Sequence, residues 1–253
     1  MNQNSFLKKA FYSMENVTIF SLENFLKGHF SILDFEQVMA AQHDAGAIQF
    51  AVELSDPVPV HLSPDIGAQS FQKHHDAVKS YLGRAEDYLF EKKTSGWVTG
   101  LTLSGLLSTI GQPPPVAHPI YFISSEKDDV KKVVYVGKTA AESGRFVGGH
   151  RAISMLHDPA FDGTQKNVYM ASVLARFTET EWVNLELINP RFRAEVYLSD
   201  VELNLIFRLQ PVLNDKGKSE LLATLAHNIH VMDPHSMVES SHGIFCYKAR
   251  EPE

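Results

Sequence analysis

Two tyrosines fourteen residues apart, Tyr121 and Tyr135, each sit in a β-patterned run, HPIYFIS and KKVVYVGKT. After them in chain order come Lys138, Arg145, His150, Glu202 and Asn214. These residue types can move protons and carry charge. A phenol near a cation is held more readily as phenolate, and a guanidinium binds phosphate oxygens in a fixed fork. One or two carboxylates suffice for a Mg²⁺ that keeps several waters. Hydrolysis of a phosphodiester asks for such groups: a water must lose its proton, charge on the phosphoryl oxygens must be neutralised, and the leaving oxygen must be stabilised. Each residue also has a plain structural reading. Tyr121 and Tyr135 could be a packed cross-strand pair, Gly137 a strand-end glycine and Lys138 a solvated strand-end charge. Arg145 would be a surface Arg and Asn214 a turn Asn. Ser199-Asp200-Val201-Glu202 matches a capping box, in which Glu202 would satisfy a backbone donor.

Competing chemistries have less to stand on. His74 and His75 are adjacent and cannot share one helix face, and His227, His230 and His235 match no H-E-x-x-H or Cys/His finger spacing. Cys246 is the single cysteine, which excludes an intrachain disulfide and any cysteine-rich zinc module and fits a reducing compartment. No Walker loop and no G-x-G-x-x-G occurs.

Pro119-Ile120-Tyr121 and Tyr135-Val136-Gly137, followed in order by Arg145, His150, Glu202 and Pro211-Val212-Leu213-Asn214, resemble the motif series of the GIY-YIG nuclease family, with Pro119 where the first Gly usually stands. Within that family the set is most similar to the restriction-endonuclease branch, given a His behind the Arg and an acidic metal position. The likeness spans about residues 118–216. It implies a metal-dependent endodeoxyribonuclease with Mg²⁺ (or Mn²⁺) as cofactor and DNA as substrate, as in a sequence-specific restriction or defence enzyme. It also implies roles: Tyr121 the general base, Tyr135 an orienting group, Arg145 and His150 at the scissile phosphate with Lys138 as a further contact. Glu202 would be the metal ligand, and Gly137 and Asn214 structural supports. One active site cuts one strand, so double-strand cutting would call for a homodimer or two successive events. The alternatives are a non-catalytic nucleic-acid- or protein-binding module on the same fold, or an unrelated α+β scaffold that mimics the pattern.

The elements that must position these residues follow from periodicity. IYFIS and VVYVG read as a hairpin around the charged loop SEKDDVKK, and symmetry about Asp128 would set Tyr121 directly opposite Tyr135. TAAESGRFVGGHRAISMLHD reads as a helix broken by Gly144, Gly148 and Gly149, and NVYMASVLARF as a strand. Ser199 to Leu209 is expected to be helical, with Ser199 as cap. SELLATLAHNIH is expected as another helix and GIFCYKA as a final strand. Upstream, Asp34 and Gln37 suggest a capped helix, IQFAVEL a strand, and Ser63-Pro64 the start of a long helix to Lys93. The Pro-rich GQPPPVAH divides the chain into a mainly helical extension (1–110), a linker (111–118), a nuclease domain (119–216) and a C-terminal helix and strand (217–253). The expected class is α+β, a small antiparallel sheet of about three strands flanked by helices.

Bulk composition frames the rest. The chain of 253 residues is 44% hydrophobic and 21% charged, with a formal net charge of −7. Residues 118–216 contribute only −1 of this and hold 12 of the 23 basic residues. A basic cleft is compatible with an acidic total, because net charge does not set the local field. With no long apolar run and no signal-like start, a cytoplasmic protein without membrane contact is expected.

Overall fold

The computed structural model describes residues 18–20, 33–34, 38, 49–66, 70–92, 100–139, 151–177, 181–223, 228–235, 237–238 and 244–247. Its spine is β7, Gln165–Arg176, a twelve-residue strand buried along most of its length. One edge of β7 carries β5 (Ile120–Lys127) on its first half and β8 (Glu181–Asn184) on its last residues. The other edge carries β4 (Val58–Pro59) and then β3 (Gln49–Leu54). Beyond β3 lie β10 (Asn228–Met232) and β11 (Ile244–Tyr247), both parallel to their neighbours; beyond β8 lies β1 (Thr18–Phe20), also parallel. The hairpin partner β6 (Val130–Lys138) pairs with β5. A separate two-stranded pair joins β2 (Leu33–Asp34) to β9 (Ile188–Asn189).

The class is α+β, but the sheet has nine strands among the described residues rather than about three. Strands β6, β5 and β7 are neighbours within this larger sheet. The segment before residue 111 supplies β3, β4 and two helices, α1 (Phe71–Glu91) and α2 (Gly100–Ile110). The Pro-rich stretch 111–118 is irregular but docked. Buried Glu186 accepts from the Ala117 amide at 2.9 Å, and the His74 ring bonds the Pro115 backbone. Residues on both sides of that stretch share one core, in which Phe50, Val52 and Tyr81 pack with Phe122, Tyr169 and Leu205.

Several expectations shift for identifiable reasons. Helix α1 starts at Phe71, because the Ser70 hydroxyl accepts from the Lys73 amide as its cap, and Ser63-Pro64 falls in a 3-10 turn. Asp34 lies in β2, and of the helix expected after it only buried Val38 is described. The hairpin turn is just Asp128-Asp129, both at positive φ (51° and 62°), so the strands run through most of the expected loop. Two left-handed residues match the right-handed twist of paired strands. NIHVM is strand β10 rather than the end of a helix: alternate Ile229 and Val231 enter the core, a period of two that the preceding apolar run obscured. Among the described residues no helix is long and apolar enough to cross a membrane.

Candidate functional site

After a short helix α3 (Arg151–Met155) comes α4, Arg191–Leu209, the element that sequence periodicity began too late. It starts eight residues before Ser199, so Ser199 is mid-helix and its hydroxyl donates to the Glu195 carbonyl at 2.8 Å. Glu202 is therefore not the N3 residue of a capping box. It faces β6, where Lys138 Nζ lies 3.4 Å from Glu202 Oε2 and donates to Ser199 Oγ at 2.7 Å. Lys138 thus spans from the strand end to two positions one helical turn apart. An ion pair of this partial exposure stabilises by about 1 kcal/mol.

The end of α4 sets the next part of the site. Gln210 adopts the left-handed conformation (φ 52°) as C-cap, and Pro211 cannot continue the helix. The chain turns back along the outer edge of β6, where the Leu213 amide donates to Val134 O at 2.9 Å. Asn214 then takes both backbone groups of Val136: Oδ1 accepts from its amide and Nδ2 donates to its carbonyl, each at 2.9 Å. The amide side chain acts as a one-residue strand, covering an edge that would otherwise be unpaired.

The two tyrosines are neighbours, though not opposite each other. A bulge between Ile123 and Ser124 shifts the ladder, so Tyr121 faces Gly137 and Tyr135 faces Ile123. The rings meet diagonally, with centroids 5.9 Å apart and planes 26° from parallel. A Cβ at residue 137 would overlap the Tyr121 hydroxyl and lie 2.6 Å from its Cζ and 2.8 Å from Tyr135 Cε1. Glycine is therefore required there by close approach of the rings. Tyr121 has no exposed surface and packs with Ile123, Val168, Met170 and Leu213. Tyr135 is half-buried, and it is the phenol that reaches solvent.

It reaches solvent in a cleft of about 550 Å³, whose walls include Tyr135, Glu202, Asn214, Arg151, Asp215 and Lys216. Arg151 Nη2 is 2.9 Å from Asp215 Oδ2 in an exposed pair. Three of the sequence candidates, Tyr135, Glu202 and Asn214, line this cleft. Tyr121 and Gly137 pack against Tyr135, and Lys138 pairs with Glu202, without lining the cleft themselves. Arg145 and His150 fall in the stretch 140–150, outside the described residues. Sequence reasoning passed over Arg151, Asp215 and Lys216. Their signal was adjacency alone: Arg151 follows His150, and Asp215-Lys216 follows Asn214.

Among the described residues no group of three or more His, Cys, Asp or Glu side chains could hold a metal ion. What the cleft offers a cation is the Glu202 carboxylate, with Asp215 also in its wall. One or two carboxylates are commonly enough for Mg²⁺, which retains its waters; here Glu202 is paired with Lys138 and Asp215 with Arg151.

Buried titratable groups lie elsewhere. Burial pushes the Glu186 carboxyl up to about 7, against the amide bond from Ala117 that favours its charge. Burial pulls His230 down to about 4 and also lowers His74, His75 and His118. The likeness to GIY-YIG nucleases rests on this chain's own residues, since a scan against protein-family models, a search of curated proteins and a search of solved structures each find no match.

Proposed function

We propose that the chain is a Mg²⁺-dependent endonuclease that hydrolyses phosphodiester bonds in DNA at the cleft between β6 and α4. The observation that carries this reading is convergence: Tyr135 from a strand, Glu202 from a helix sixty-seven residues later and Asn214 from the following turn line one cleft. In this reading Glu202 holds the cation, which supplies charge neutralisation at the phosphoryl oxygens when bound. Lys138 positions Glu202 by pairing with it. The proton of the attacking water is taken at the tyrosine pair, and Tyr135 is the member that touches the water, because Tyr121 is fully buried beneath it. Arg145 and His150 supply the phosphate contacts, and Arg151 in the cleft wall is a further cation. A double-strand cut requires two copies or two events. Restriction of foreign DNA is the setting that the resemblance suggests.

The test is cleavage of supercoiled plasmid and of mixed genomic DNA at low salt, with Mg²⁺ and with chelator. Wild type should cut only with Mg²⁺, and Glu202→Ala should not cut. Tyr135→Phe should lose about a hundredfold or more, the usual scale of a lost proton-transfer group, and Tyr121→Phe should lose less. Absence of Mg²⁺-dependent cutting of genomic DNA by wild type would overturn the reading. A second reading, a binding module without catalysis, is favoured by the Lys138–Glu202 ion pair, which already occupies the carboxylate. DNA binding of equal strength with Mg²⁺ and chelator, without cutting, would select it.

A further inference from the structure

A second cleft, of about 470 Å³, lies along the other half of the same hairpin edge. Three of the stretches that line the first cleft also line this one, and Met237 and Val238 complete its wall. Strand β6 contributes Val130 to Val134 where the first cleft takes Tyr135. Helix α4 contributes Arg208 and Leu209 where the first takes Glu202 to Ile206. The connecting turn contributes Gln210 and Val212 where the first takes Leu213 to Lys216. Its charged lining residues are Lys131, Lys132 and Arg208, and no carboxylate is among the described residues that line it.

The three cations are not equivalent. Lys131 is committed inward: its Nζ lies 3.7 Å from Glu126, donates to the His235 carbonyl at 3.3 Å and sits over the Tyr169 ring. Lys132 is exposed. The bulge decides where it points. Ser124 pairs with Val133 while Ile123 pairs with Tyr135, so Val134 is the additional residue. In a regular strand, residues three apart point to opposite faces. The additional residue puts Lys132 on the face of Tyr135 and Gly137. Arg208 is partly buried, and loss of hydration lowers its pKa. Lys132 is about 10 Å from Tyr135 along the strand, and Arg208 about 9 Å from Glu202 along the helix axis. Both distances correspond to a few nucleotide steps at roughly 3.4 Å of rise each.

We propose that this second cleft is the track for the nucleic-acid strand leading away from the site of cutting, with Lys132 and Arg208 holding its phosphates. The inference rests on the nuclease reading and adds the binding groove for the flanking strand. An acidic peptide adding as a strand fits less well, because β6 already has its edge covered at Val134 and Val136 by Leu213 and Asn214.

The experiment measures binding of a fluorescein-labelled DNA oligonucleotide, single-stranded and duplex, in chelator over a range of salt. The proteins are wild type, Lys132→Gln, Arg208→Gln and, as a charge control on α1, Lys79→Gln. Each cleft variant should weaken binding several-fold regardless of sequence and reduce the slope of log K against log salt by about 1, whereas Lys79→Gln should keep the wild-type slope. Lys132 is exposed, so its variant tests the track even if Arg208→Gln fails to fold. If wild type binds or cuts DNA and Lys132→Gln keeps the wild-type slope, the track is overturned and the nuclease reading stands. If wild type neither binds nor cuts, both fall. Binding of polyglutamate instead, relieved by Lys132→Gln, would assign the cleft to an acidic protein partner and overturn the proposal.

Discussion

Glu186 is the residue whose ionisation the fold resists most plainly. Its Oε1 accepts from the Ala117 amide, and among the described residues its buried Oε2 has no hydrogen-bond partner. Its carboxyl, ordinarily at 4.5, is pushed up to about 7, so the folded state binds this proton more tightly than the unfolded chain does. The associated stability is fully present below about pH 4.5 and is lost as the pH rises through about 7. Glu186→Gln keeps the acceptor for Ala117 and removes the titration. It should match wild type below about pH 5 and exceed it by up to about 3 kcal/mol at about pH 8, as read from urea unfolding at both pH values. His230 works in the opposite direction, stabilising above its ordinary pKa of 6.5 and costing stability as pH falls toward about 4. Both proteins share it, so their difference isolates Glu186. The sequence displayed this carboxylate only as one acid in LEL. Burial of a charge is a tertiary property, and no local pattern announces it.

At the scale of elements, the site depends on a helix end. The left-handed Gln210 and the following Pro211 direct residues 213–214 onto the edge of β6, and Asn214 closes the ladder at Val136. Asn214→Ala should leave two buried backbone groups unpaired and cost about 1–3 kcal/mol. Hydrogen exchange should show faster loss of the Val136 amide than of β7 amides; equal protection in variant and wild type would disprove this role for Asn214. The helix stop before Pro211 was legible because proline punctuates locally. The start of α4 was not, since Ser199 and Glu202 match a cap by chance and the first two turns carry charged and polar residues among their apolar ones. Likewise the tyrosine runs were legible as strands by their branched and aromatic content, while their diagonal offset was not, because a bulge reflects how two strands pair.

On the scale of the whole molecule, β7 unites what composition divides. Its one edge holds the hairpin with the tyrosines, and its other edge holds β3 and β4 from before the Pro-rich stretch. A fragment beginning at residue 118 would expose the β3-facing edge of β7 and remove Phe50, Val52, Tyr81 and Leu106 from the shared core. Such a fragment should lack a cooperative thermal transition by circular dichroism, in contrast to the full chain. A sharp transition in the fragment would show that the motif-bearing segment folds alone. Proline and glycine density marked a boundary because such residues are common between domains. Here the prolines instead form a stiff strap bonded to buried Glu186 and His74.

The bulge at Ile123/Ser124 gives the hairpin two independent frames of residue counting. Residues on the tyrosine side of Val134 keep their orientation whatever happens at the turn, and residues on the turn side keep theirs relative to one another. Removing Val134 alone would leave Tyr135 and Gly137 in place and turn Lys132 to the opposite face. Removing a matched pair from the tip would change neither orientation. In related chains, a one-residue gap between the lysines and the second tyrosine would therefore mean a different groove behind an unchanged tyrosine pair.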